Sequence, residues 1–144
     1  MLLEWKRVGI MTYAGYILGF PNDTPESIRQ DLEIIKHELP LDVLEFFILT
    51  PLPGSEDHKV LYEKGVWMDP DMNKYDVEHV CTAHPKMSKE EWEQAYQTAW
   101  GIYYTDEHLE TIIRRAHASG INLRSLMPVL FWFKNAVPVE GLHP

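Results

Sequence analysis

Tyr13-Ala-Gly-Tyr-Ile-Leu-Gly-Phe-Pro-Asn-Asp-Thr-Pro25 reads as a buried β-strand, a tight turn and the opening of a helix. Gly15 and Gly19 stand four residues apart among bulky apolar neighbours. Glycine weakens a strand interior, so two of them imply that something approaches the backbone closely. Thr24 followed by Pro25 is a helix start, with the threonine as N-cap and the proline at the first helical position. A strand running through glycine into a capped helix is half of a βα unit, and such units place ligands at the strand's carboxyl end.

Working outward, Ile10 to Phe20 is expected to form the first strand, apolar on both faces as in a parallel sheet covered on both sides. Residues 24–39 predict a helix, because Ile28, Leu32, Ile35 and Leu39 recur at helical spacing while Arg29, Asp31 and Glu33 fall outside it. Pro40 ends it. Residues 43–50 (Val-Leu-Glu-Phe-Phe-Ile-Leu-Thr) read as a second buried strand, giving a right-handed parallel crossover. Met1 to Val8 looks like the last turns of a helix stopped by Gly9, which suggests a chain cut from a longer one.

Beyond the second strand, Pro51-Leu-Pro-Gly-Ser55 predicts a rigid turn, and Ser55, Glu56 and Asp57 open a short helix to Lys64, stopped by Gly65. Residues 66–86 read as irregular. Ser88 with Glu91 three residues on is a capping box for a helix to about Tyr104, with Asp106 expected to cap its continuation to Ala118 before Gly120. A last apolar helix is expected over 123–137, bent or broken at Pro128. Composition shifts after Gly65 from βα alternation to helices, which places a boundary between 1–65 and 66–144.

The net charge of −9 argues against a nucleic-acid partner, since phosphate binding needs clustered lysine and arginine. The sole cysteine, Cys81, cannot form an internal disulfide, and Glu4, Lys6 and Arg7 are wrong for a secretory leader. Residues 126–133 are far shorter than the ~20 apolar residues needed to span a bilayer. These features predict a soluble cytoplasmic protein with no membrane span.

Several side chains carry chemistry by type. Glu45 is the one charge inside a buried strand, near its start, where a structural or solvent-edge role is favoured. Asp69-x-Asp71-x-Asn73 imitates a calcium loop, but Lys74 replaces the required glycine and Val80 the bidentate glutamate, so a turn is the simpler reading. His79, Cys81 and His84 could offer three zinc ligands without a fourth, or a substrate-facing loop. Trp92, Tyr96, Trp100 and Tyr103 form an aromatic stripe suited to core packing. Phe131-Trp132-Phe133 would form an interface if exposed.

The run Gly15-Tyr-Ile17-Leu-Gly19-Phe-Pro-Asn-Asp-Thr-Pro-Glu26 resembles the fifth strand and following loop of a radical S-adenosylmethionine (SAM) enzyme. Leu49-Thr-Pro-Leu-Pro-Gly-Ser55 resembles the sixth strand and its loop. Val66-Trp-Met-Asp-Pro-Asp-Met-Asn-Lys-Tyr75 is similar to members carrying an upstream cobalamin-binding domain. The resemblance implies a partial (β/α) barrel holding a 4Fe-4S cluster and SAM, whose reductive cleavage yields a 5′-deoxyadenosyl radical. It implies cobalamin-linked methyl transfer or ring formation on a small-molecule substrate.

By the same resemblance, Gly15, Ile17 and Gly19 would line the SAM adenine pocket, with Thr50 and Leu52 at the second strand's carboxyl end beside the adenine edge. Tight strand–helix packing is the competing reading for the glycines, and a ligand-free proline turn for Thr50 and Leu52. Two departures stand out. The family's three cluster cysteines, spaced C-x₃-C-x₂-C, have no counterpart here, and position 22 is Asn where a glutamate often ends the fifth-strand pattern. The expectation is a fold of class α/β, a partial (β/α) barrel fragment with an α-helical C-terminal extension, contributing part of a SAM pocket. The cluster and cobalamin ligands, the missing N-terminal half-barrel and the cobalamin domain would then be partners outside this chain. The alternative is a non-catalytic βα binding module held to another protein by its C-terminal helices.

Overall fold

A computed structural model describes residues 1–135 and residue 139. Among the described residues, six α-helices and two strands follow in the order α1 (Leu2–Arg7), β1 (Tyr13–Leu18), α2 (Pro25–Glu38), β2 (Val43–Ile48), α3 (Glu56–Glu63), α4 (Lys89–Tyr103), α5 (Asp106–Ala118) and α6 (Leu123–Asn135). The strands pair in parallel, Tyr13 opposite Val43 through Leu18 opposite Ile48, with α2 as the crossover. The class is α/β: a two-stranded βαβ unit followed by a helical region.

Local signals fix the helix ends. Thr24 Oγ1 accepts from Ser27 N while Ser27 Oγ accepts from Thr24 N, a reciprocal cap. Ser88 and Glu91 form the expected box on α4. On α5 the cap is Thr105, which accepts from His108 N, and not Asp106; the hydroxyl one residue earlier reaches the free amide, and Asp106 becomes the first helical residue. α6 passes through Pro128 unbroken over its described length. The missing N–H frees only the carbonyl of Arg124, a solvent-exposed first-turn residue, so water can satisfy it. The last expected helical residue, Val137, lies outside the described residues.

The first strand is shorter than Ile10 to Phe20. Ile10 N donates back to Trp5 O at 3.0 Å, which turns the chain before Thr12. At the other end Gly19 takes φ +101, incompatible with continued strand. Nor is β1 buried on both faces. Its helix-facing residues Ala14, Tyr16 and Leu18 join Leu44, Phe46 and Ile48 under α2 and α4. The opposite face leaves Tyr13 57% and Ile17 43% exposed. The core therefore lies between one sheet face and the helices, and the aromatic stripe on α4 fills it. Trp100 meets Phe46 edge-on at 4.9 Å and stacks on Phe133 of α6 at 5.6 Å.

The far edge of β2 is closed by other groups. Tyr104 hydroxyl accepts from Leu44 N and donates to Leu44 O at 2.6 Å. Ile48 N donates to Val77 O at 2.6 Å, with Val77 held at φ +69, a costly left-handed conformation for a β-branched residue. Residues 66–86 are also more regular than expected: Met68 and Thr82 form an antiparallel bridge, flanked by Asp69 N to Cys81 O and Ala83 N to Trp67 O.

At the amino ends of the strands sits a polar cluster. Fully buried Asp42 accepts from Lys6 Nζ, from Thr12 N at 2.7 Å and from Thr12 Oγ1 at 3.1 Å. Arg115 lies 3.9 Å from its other oxygen and donates to Leu41 O. Burial pushes the Lys6 ammonium down, and its bond to Asp42 opposes that shift. The cluster ties α1 and α5 to the start of both strands, the end where a barrel places stability and not chemistry.

Candidate cofactor pocket

The carboxyl ends of β1 and β2 open into a pocket of about 630 Å³. Its first wall is the turn after β1. Asp23 Oδ2 accepts from Gly19 N at 2.9 Å and Phe20 N at 2.8 Å, so the turn's amides are occupied by its own carboxylate. This aims the rings of Phe20 and Pro21 into the cavity. Leu49, Thr50 and Pro51 form the second wall, directly after β2. A third comes from α3, opened by Ser55 accepting from His58 N, which presents Asp57, Val60 and Leu61. Thr82, Ala83, His84 and Pro85 close the remaining side above Trp92.

Gly19 is required here for reasons beyond its positive φ. A Cβ built on it would stand 1.9 Å from Trp92 Cζ2 and 2.5 Å from Trp92 Nε1. The indole is almost fully buried, and its Nε1–H has no hydrogen-bond partner among the described residues. A buried donor left unmade is costly, and this nitrogen is packed against the Gly19 turn with no surface open to the cavity. Among the described residues, Asp57 is the only formally charged side chain in the lining. The cavity is therefore mostly apolar with few polar groups, the usual character of a small-molecule site, and its size falls within the common range. An uncharged ring system or a cationic group suits it better than a phosphate.

Two of the five residues expected at the adenine site, Gly19 and Thr50, line this pocket. Gly15 and Ile17 share a sheet face as alternation predicted, but lie along the strand below the lining. Gly15 makes room for a ring: its Cβ would meet Phe47 Cε2 at 2.8 Å. Leu52 is half-exposed on the turn beyond β2, also outside the lining. Glu45, half-buried, stands opposite Gly15 in the register.

The side chains with metal-ligand chemistry are engaged separately. Asp69 accepts from Asp71 N and from Lys74 Nζ, contacts that hold its carboxyl below the usual range. His79 Nδ1 is held by Asp76 at 2.8 Å. Cys81 is buried, and that burial pushes its thiol up, with a hydrogen bond from Thr50 opposing. Among the described residues no three His, Cys, Asp or Glu side chains converge as a metal site. One buried, protonated thiol does not fit an iron–sulfur cluster, which needs several thiolates. An adenosyl group meets a better match in the ring-lined, mostly apolar walls with the Thr50 and Thr82 hydroxyl oxygens among them.

Sequence reasoning missed Asp57, Val60 and Leu61 as pocket residues, because a short acidic helix start reads as solvated surface. It also missed the contact between Gly19 and Trp92. The only signal available was a glycine and a helix-start tryptophan, each with an ordinary local explanation.

An uncharacterized methyltransferase of Pyrococcus horikoshii is 24% identical to this chain over 114 residues, 79% of the chain and 21% of that protein. The likeness is to a methyltransferase. It is distant, and the chain spans about a fifth of the length of the curated relative it matches. No family model matches the chain. No helix among the described residues is long and apolar enough to cross a membrane.

Proposed function

We propose that this chain is part of a SAM-dependent methyltransferase of the radical SAM type, and that the pocket beyond β1 and β2 holds one side of SAM. The observation that carries this reading is the position and lining of the cavity. It lies at the carboxyl ends of two parallel strands and has an apolar slot suited to an adenosyl ring. The likeness to a methyltransferase supports it. When bound, SAM supplies either an electrophilic methyl group or, after one-electron reduction, a hydrogen-abstracting adenosyl radical.

In this chain, Phe20, Leu49, Val60 and Leu61 enclose the flat ring and exclude water. Thr50 offers a hydroxyl oxygen at its edge, the Trp92 indole packs beneath it, and Asp57 supplies a negative charge for the cationic end of the ligand. The residues that would hold the 4Fe-4S cluster and the cobalamin of such enzymes lie outside this chain, and the electron for SAM reduction would come from there. β1 pairs only with β2 among the described residues, so its other edge is where a neighbouring barrel strand would pair, and the exposed face bearing Tyr13 and Ile17 would turn to the barrel interior. Under this reading residues 1–65 are the barrel portion and residues 66–144 its cap, which reaches back over the pocket through residues 82–85.

The test is a protein-observed NMR titration of the full chain with S-adenosylhomocysteine, a stable analogue. Saturable shifts at Gly19, Thr50, Ala83 and the Trp92 indole are expected. Shifts confined to the opposite end of the strands, around Thr12 and Asp42, would overturn the reading.

A further inference from the structure

An imidazole fastens the pocket wall contributed by the second half of the chain to the turn after β1. His84 Nδ1 lies 3.1 Å from both Lys86 N and Met87 N. Both are backbone amides and can only donate, so Nδ1 is the acceptor and carries no hydrogen. The ring's hydrogen then resides on Nε2, which donates to the Phe20 carbonyl at 2.9 Å, 64 residues away in sequence. The same ring meets the Trp92 indole edge-on at 5.1 Å, and Lys86 Nζ adds a bond to Asn22 O at 2.9 Å. His84 thus reads two elements at once. Its Nδ1 shapes its own turn, and its Nε2 fixes the Phe-Pro turn whose ring forms the opposite wall.

We propose that His84 is a positioning residue of the pocket. In this role a neutral, Nε2-protonated imidazole holds residues 82–87 across the strand ends and sets the pocket's affinity for an adenosyl ligand by fixing Phe20 and Trp92. The proposal rests on the adenosyl reading of the cavity. It explains why a histidine stands here: no other side chain accepts two local amides at one atom and donates across the pocket from another in the same rigid ring. The zinc-ligand role is incompatible with this arrangement, because both nitrogens are already committed.

Two substitutions separate the two halves of the ring's work. His84→Asn puts a carbonyl oxygen where Nδ1 stands, keeps the local turn and cannot reach Phe20. His84→Gln can place an amide N–H near the Nε2 position, keeps the bond across the pocket and loses the local acceptor. For full-length chains with matched circular dichroism, the S-adenosylhomocysteine dissociation constant should rise about tenfold in His84→Asn and stay within about threefold in His84→Gln. The ¹⁵N resonances of His84 in the wild-type chain should show an unprotonated Nδ1 and a protonated Nε2. A protonated Nδ1, or His84→Asn binding as tightly as wild type, overturns the positioning role. Absence of binding by the wild-type chain with the expected tautomer present overturns the adenosyl reading instead, and the affinity role with it.

Discussion

Replacing Gly19 by alanine probes the packing on which the pocket depends. The added methyl would have its Cβ 1.9 Å from Trp92 Cζ2 and 2.2 Å from Cε2, far inside contact distance. The indole is 2% exposed and cannot swing into solvent. The backbone at φ +101 adds strain of about 1–2 kcal/mol for any L side chain. Overpacking against a rigid buried ring adds about 1–3 kcal/mol. Together they predict a loss of about 2–5 kcal/mol, which for a chain of this size lowers the melting temperature by roughly 6–20 °C. Thermal unfolding followed by circular dichroism measures it. The same substitution made in a Trp92→Leu background isolates the two contributions, because without the ring only the strain of about 1–2 kcal/mol remains. A fall below about 2 °C in the wild-type background, or equal costs in the two backgrounds, would refute the assignment of Gly19 to the Trp92 contact.

Three further outcomes follow from other parts of the fold. Asp42→Asn leaves Lys6 buried against a neutral partner and should destabilise by about 3–5 kcal/mol in urea unfolding, whereas Lys6→Met combined with Asp42→Asn should recover much of that loss. His108 is buried with Nε2 unpaired, and burial pushes its imidazole down to about 4. The unfolded chain therefore takes up a proton near pH 6.5 that the folded chain refuses until about pH 4, so stability is full above 6.5 and declines through that window. The decline between pH 7.5 and 5 should be about 1–2 kcal/mol and should shrink in His108→Gln; an unchanged slope in the variant would contradict it. Finally, anaerobic reconstitution of the chain with iron and sulfide should give no thiolate-to-iron absorption band, since Cys81 is alone and buried; stoichiometric iron with such a band would show that the chain holds a cluster after all.

What the sequence made legible was local. Thr24-Pro25, Ser88 with Glu91, and Gly120 mark helix ends through groups within four residues of one another, and each acts as read. The spacing of Ile28 and Leu32 gave α2 its buried side. The failures are of range. Whether β1 is covered on one face or two depends on what packs against Tyr13 and Ile17, and an apolar residue has the same letter either way. Lys6 and Asp42 are 36 positions apart, and nothing in either neighbourhood announces a pair. The glycines behave alike in sequence yet differ in cause, Gly15 yielding to Phe47 and Gly19 to Trp92. Gly19 and Thr50, legible as the residues after each strand, line the cavity, but its outer walls come from α3 and from residues 82–85, which only the folded chain brings there.

The central claim is that the cavity beyond Gly19 and Thr50 receives the adenosyl group. Ala83 is exposed at its rim, so Ala83→Trp should fill the slot while leaving the core intact. Equilibrium dialysis of S-adenosylhomocysteine against wild-type and Ala83→Trp chains of equal thermal stability tests the claim directly. Binding to the wild type that falls at least about tenfold in the variant, more than 1.4 kcal/mol, is the predicted result. Equal binding by the two chains would place the ligand elsewhere and contradict the account.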